Sequence, residues 1–331
     1  VSRWRCLVGL VACLAGGCRT VEFYAQAAAG QFEVLAKRRP ADEVIAATDD
    51  PALRGRLELT RGLLDFAETE LHMPAKGNYQ SYAALGREHL VWVVHAAPEL
   101  SLEAKEWWYP IVGRQSYRGY FREDLAAAEA ARLAADGHDT YVGGVDAYST
   151  LGWFRDPVLD TFVGRAEVDF AELIFHELVH VTHYVSGETE FNEGLAEAVA
   201  REGVRRWLRA TGRSRQVARY VRRLARIDRA REAIGGTAAR LEALYASDLA
   251  ADEMRARKAR EIARLRARVR ALRVDWGRGL DSWIDDPINN ARLNAFTTYE
   301  AEVPRFAELL RRCDGDFARF WERVRTMPPV R

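Results

Sequence analysis

Residues 171–200, AELIFHELVHVTHYVSGETEFNEGLAEAVA, hold two histidines four positions apart with a glutamate directly after the first: His176-Glu177-Leu178-Val179-His180. On a helix that advances about 100° per residue, His180 lies about 40° and Glu177 about 100° around from His176, so the three share one face. Leu178 and Val179 point to the other side, where a core would be. Two imidazoles one turn apart can approach a single divalent cation at about 2.0–2.1 Å, and Glu177, slightly off axis, can reach a water on it. Thirteen residues after His180 comes Glu193, in Asn192-Glu193-Gly194-Leu195-Ala196, opening a second helical stretch after the turn Ser186-Gly187-Glu188-Thr189. A third ligand from a neighbouring helix would leave one coordination position for water, the catalytic form of a zinc site. His183 shares the face, but it lies about 10.5 Å along the axis from His176 by helix rise, too far to join the same ion. His72, His89, His95 and His138 have no partner at metal spacing.

An H-E-x-x-H helix followed by a helix bearing Asn-Glu resembles the gluzincin metallopeptidases. The resemblance implies His176, His180 and Glu193 as ligands of one Zn²⁺ and Glu177 as general base. It also implies that Glu197, one turn past the ligand glutamate, orients a ligand imidazole. Only twelve residues separate His180 from Glu193, a shorter connection than in the best-known gluzincins, yet long enough for two packed helices. More closely, the chain resembles a bacterial family of predicted aminopeptidases, small exported zinc-peptidase-like lipoproteins. The matching stretches are Tyr24-Ala25-Gln26-Ala27, Ser116 to Phe121, Gly144 to Phe154, the histidine motif, and Asn289-Asn290-Ala291 with Tyr299 ten residues after Asn289.

The implied activity is zinc-dependent hydrolysis of peptide bonds, of aminopeptidase type. The alternatives are an endopeptidase on the same site, or a non-catalytic zinc-binding envelope lipoprotein acting as scaffold or chaperone. Zinc would act as Lewis acid and activator of water. Glu177 would accept the proton of the attacking water and pass it to the leaving amine. A tyrosine would steady the tetrahedral species from the opposite side, with Tyr299 the first candidate and Tyr117 and Tyr148 behind it. Asp146 to Phe154 resembles an edge strand on which an extended substrate aligns, with Asp146, Tyr148 and Ser149 as contacts; a plain hairpin strand ending at Asp156-Pro157 is the other reading. Asn289 and Asn290 would bind substrate backbone or cap the following helix. A carboxylate is also needed for the substrate's free ammonium, and no spacing selects between Asp146 and Glu99.

These residues need a scaffold, and the texture of the chain predicts an α+β fold, mostly helical, with a zincin-like core, a small sheet and a long helical hairpin. From Val21 to Leu71, apolar residues such as Phe23, Phe32, Leu35, Leu57 and Leu64 recur at helical spacing, with Pro40 and Pro51 as breaks. His89–His95, Trp107–Val112 and Tyr141–Val145 are rich in aromatic and β-branched residues and read as strands; Glu123–Ala135 reads as a helix. The Arg/Ala/Leu-rich stretch Val204–Val274, broken at Thr211-Gly212 and Gly235-Gly236, suggests the hairpin. The expected divisions are a signal peptide over 1–17, an N-terminal helical region over 18–100 and a catalytic core over 101–203. An Arg-rich arm over 204–274 and a C-terminal helical region over 275–331, which completes the active site, would follow.

Of the 331 residues 48% are hydrophobic, enough for a sizeable core, and 49 Lys+Arg balance 48 Asp+Glu. A net charge of +1 without a long single-sign block argues against nucleic acid as a partner. Cys6, Cys13 and Cys18 crowd the start and leave Cys313 alone, which excludes a disulfide framework. Arg3 and Arg5, the apolar Leu7–Ala15 and the small residues Ala15-Gly16-Gly17 before Cys18 resemble a bacterial lipoprotein signal. The expectation is an exported, periplasm-facing protein that acts on peptides and is held to the membrane by acyl chains on Cys18.

Overall fold

The computed structural model describes residues 20–109, 113–147, 150, 154–272, 286–297 and 302–328. The chain is 64% helical with small sheets, the α+β, mostly helical class expected from its texture. Helix α1 spans 20–36. After the two-residue strand β1 (Arg39–Pro40) come α2 (Ala41–Ala47) and α3 (Pro51–Leu71). The Asp50 carboxylate caps α3 by accepting the Ala52 N–H at 2.8 Å, and Pro51 occupies the first turn, where its missing N–H costs nothing. Leu57, Leu63, Leu64, Ala67 and Leu71 form the buried stripe of α3. Phe32 on α1 instead faces outward, 70% exposed.

Strand β2 (Ser81–Ala83) pairs antiparallel with β1 and parallel with β8 (Val158–Leu159). The sheet that matters for the site has the order β6 (Arg118–Tyr120), β3 (Val91–Pro98), β7 (His138–Val145), all antiparallel. Along β3 the side chains alternate as strand geometry demands. Val94 and Ala96 pack with Ala126, Ala130 and Leu133 of α4 (Glu123–Ala135), while Val91, Val93 and His95 face a cavity on the other side. A small hairpin, β4 (Trp107–Tyr109) with β5 (Gly113–Gln115), stands beside this sheet; of the expected strand Trp107–Val112, residues 110–112 lie outside the described residues.

The helical layer follows: α5 (Asp160–Val163), α6 (Glu167–Thr182), α7 (Thr189–Ala210), α8 (Ser214–Tyr245) and α9 (Ala251–Leu272). Helices α8 and α9 form the expected hairpin around Ile227, Ile234, Leu241, Leu265 and Val269, closed by Ile288 and by Leu293 of α10 (Asn290–Thr297). One boundary differs from the sequence reading. The arm's first residues belong to α7, and α8 runs unbroken through Gly235-Gly236, with the turn falling at residues 246–250. Two helical glycines cost about 1 kcal/mol each against alanine; the fully buried Ile234 and Leu241 on either side offset that. Helices α11 (Val303–Arg312) and α12 (Phe317–Thr326) complete the main core with Phe306, Cys313, Phe320 and Trp321, and the Trp321 indole donates to the Leu71 carbonyl at 2.8 Å.

Candidate metal centre

Helix α6 has two faces with different company. Phe170, Ile174, Phe175, Leu178 and Val179 are wholly buried in the core. On the opposite side Asp169, Glu172, Leu173, His176, Glu177 and His180 line a cavity of about 1190 Å³, roofed by the sheet face carrying Val91, Val93 and His95. Helix α7 brings Glu193 to this stripe. Its approach is fixed by Asn192, which accepts the Val185 N–H at 2.8 Å and donates to the Val185 carbonyl at 2.7 Å, closing the α6–α7 connection. Gly194 next to it has no side chain, and α11 comes in close: a Cβ there would lie 2.4 Å from the Glu302 Cβ.

His176, His180 and Glu193 therefore converge, each offering one ligand atom, all within 4.8 Å of one another, and could hold a metal ion. His176 Nε2 stands 3.2 Å from Glu193 Oε2 and 3.3 Å from His180 Nε2, while His180 Nε2 stands 3.5 Å from Glu193 Oε1. Burial works to lower the His176 imidazole, but the hydrogen bond and charge of Glu193 overcome it and raise the ring to about 9. Burial pushes His180 down to about 4, with Glu193 opposing and the charge of His176 adding. Glu193 thus favours a proton on His176, while the buried His180 ring stays neutral.

Glu177 sits beside this cluster, 6% exposed, with its Oε2 meeting no hydrogen-bond partner among the described residues. Burial raises its carboxyl to about 7; Glu193 and Asp156 add to the effect, and His176 and Arg165 oppose it. Glu197 is gripped by two guanidiniums: its Oε1 accepts from Arg201 at 2.6 Å and from Arg231 of α8. Tyr117, just before β6, lines the same cavity, and burial first, then the charges of Glu193 and Glu177, push its phenol well up, so it stays a donor.

Other residues singled out in the sequence lie elsewhere or are otherwise engaged. Asp146 lines the cavity, but its oxygens meet His89 Nδ1 at 2.7 Å and Arg165 Nη2 at 2.7 Å. Glu99 is half exposed and pairs with Arg255 at 2.9 Å. Asn289 caps α10, accepting the Arg292 N–H at 3.0 Å, and donates to the Thr140 carbonyl of β7 at 2.9 Å. The wholly buried Asn290 donates to the carbonyls of Pro98, Glu99 and Ser101 at 2.9–3.0 Å and accepts the Tyr245 hydroxyl. Both asparagines thus staple α10 to the sheet instead of facing the cavity. His183 follows the end of α6 and faces Phe191, with ring centroids 6.0 Å apart. Tyr148, Ser149, Tyr299 and Cys18 lie outside the described residues. Sequence reasoning passed over Glu172, Arg165 and Tyr184, which all line the cavity. Only Glu172 left a signal, one helical turn before His176 on the same face.

Fold and site together define an α+β protein whose central cavity carries a three-residue cluster able to bind a metal. The chain belongs to the family described as "Putative aminopeptidase", whose model matches residues 22–330. No curated protein and no solved structure matches it.

Proposed function

We propose that the protein is a zinc-dependent metallopeptidase acting as an aminopeptidase, with His176, His180 and Glu193 as ligands and Glu177 as general base. The observation that carries this reading is the convergence of one ligand atom each from His176, His180 and Glu193 within 4.8 Å of one another, with His176 Nε2 3.2 Å from Glu193 Oε2 and 3.3 Å from His180 Nε2. Ligands about 2.0–2.1 Å from the centre of a tetrahedron are separated by about 3.3–3.4 Å, and a set of two imidazoles and one carboxylate is a zinc set with one position open. When bound, zinc would supply a Lewis acid for the scissile carbonyl and make water acidic near neutral pH.

The chain's own groups supply the rest. Glu177 Oε2, without a hydrogen-bond partner among the described residues, takes the proton of the attacking water and delivers it to the leaving amine, a transfer favoured by a carboxyl near neutrality. The Tyr117 hydroxyl donates to the oxygen that gains charge. The apolar sheet wall excludes water from the substrate side. Glu197 holds its turn of α7 through Arg201 and Arg231, which keeps Glu193 one turn earlier in register.

Metal analysis and one variant test this. The purified chain is expected to hold about one zinc per molecule, and Glu177→Gln is expected to keep the metal while losing hydrolysis of free-amino peptides. Zinc retained unchanged after His176→Ala, or full activity in Glu177→Gln, would reject the assignment. The reading extends to the envelope, where Cys18 would carry acyl chains that anchor the protein. Cys18→Ser should move it from the membrane fraction to the soluble fraction; unaltered fractionation argues against the anchor.

A further inference from the structure

Among the described residues, six carboxylates line the cavity: Asp146, Asp169, Glu172, Glu177, Glu193 and Glu197. Three are matched by cations. Asp146 pairs with Arg165, Asp169 with Arg223, and Glu197 with both Arg201 and Arg231. Glu193 belongs to the histidine cluster, and Glu177 stands beside it as the base. That leaves Glu172. Its described hydrogen bond comes from a neutral group, the Tyr220 hydroxyl of α8, which donates to Oε1 at 2.9 Å. No described cation stands within ion-pair distance of it. A carboxylate in a largely desolvated place costs free energy unless a positive charge comes to it. Burial pushes the Glu172 carboxyl up, against the lowering effects of Tyr220 and of the more distant Arg223.

We propose that Glu172 is the subsite for the α-ammonium group of the substrate, so that the cavity selects peptides with a free amino terminus. This rests on the peptidase reading above and adds to it which residue imposes cleavage at the amino end. The spacing fits removal of a single residue. Glu172 precedes His176 by one turn on the same face, a rise of about 6 Å. An α-ammonium nitrogen lies about 3 Å from the carbonyl oxygen of its own residue. An ammonium held by Glu172 therefore brings the first peptide bond, and not the second, to the histidine–glutamate cluster. Asp146 and Glu99 cannot do this: the first is already paired on both oxygens, and the second does not line the cavity.

The test compares binding of L-leucinol with that of N-acetyl-L-leucinol by titration calorimetry on the zinc-loaded full chain, beside hydrolysis of leucine p-nitroanilide and its N-acetyl form. Wild-type protein is expected to bind the free amine about 10- to 100-fold more tightly than the acetylated compound. Glu172→Gln, which keeps the shape and the Tyr220 contact, should erase that preference, raise KM for the free-amino substrate and leave zinc content unchanged. Glu172→Asp, which keeps the charge, should retain part of it. Equal binding of the two compounds by wild type overturns the proposal without any variant, as does a preference that survives Glu172→Gln. Hydrolysis that ignores acetylation refutes this subsite and leaves the metallopeptidase reading standing. An amine preference that depends on Glu172, in a chain that hydrolyses neither substrate, supports the subsite and refutes the peptidase.

Discussion

A phenol donates to a developing negative charge only while it keeps its proton, and Tyr117 is held in that state by burial and by the carboxylates of Glu193 and Glu177. Tyr117→Phe is expected to lower kcat about 10²-fold with KM and zinc content little changed, since the lost hydrogen bond forms mainly in the transition state. A kcat within threefold of wild type would remove Tyr117 from the reaction. Asp146 shows the opposite case. It is an acidic residue in the right cavity whose oxygens are already taken by His89 and Arg165, so its charge orders the wall instead of meeting a ligand.

Helix α7 depends on a missing side chain. Gly194 directly follows Glu193, and the Glu302 Cβ occupies the space a Cβ at 194 would need, with backbone atoms of Glu302 3.2 Å away. Gly194→Ala must push α11 off α7 and is expected to cost about 1–3 kcal/mol. A lowered urea midpoint together with weaker zinc affinity would report it, and an unchanged midpoint would contradict the packing. What the sequence disclosed at this level follows from range. The pattern His176, Glu177, His180 lies within one turn, so its shared face could be read from periodicity alone, and Glu193 came with the start of the next helix. Glu172 sits one turn from the same motif but escaped notice, because its meaning lies in what it lacks: the neighbouring Asp169 is neutralised by Arg223, 54 residues further along the chain. No local pattern carries such a pairing. Gly235-Gly236 misled for a related reason. Its glycines are locally unfavourable in a helix, and the helix continues through them packed on α9 and α10.

Across the molecule, the cavity wall is tied to the N-terminal segments through one acid. Asp156 accepts from the Thr150 N–H at 2.9 Å and the Thr150 hydroxyl at 2.7 Å, while its own N–H donates to Asn78 at 2.8 Å. Burial raises its carboxyl from 3.8 to about 6, against the lowering hydrogen bonds from Thr150. The unfolded chain thus loses this proton at lower pH than the folded one. The folded state binds more protons in the interval, and this group's contribution to stability falls as pH rises from about 4 to about 6, by roughly 3 kcal/mol, and is level outside it. Urea midpoints measured across that interval should decline in wild type and decline less in Asp156→Asn; identical slopes would show that Asp156 does not set them.

Cys313 closes α11 with none of its surface exposed, packed in the same core as Phe306, Phe320 and Trp321. A lone thiol is a hazard wherever oxidants are plentiful, because it invites crosslinking between molecules and overoxidation. Here the sulfur is shielded by the aromatic packing of the terminal helices and becomes reactive only when they part. Persistence of that thiol under oxidants would therefore report how seldom this end of the protein opens.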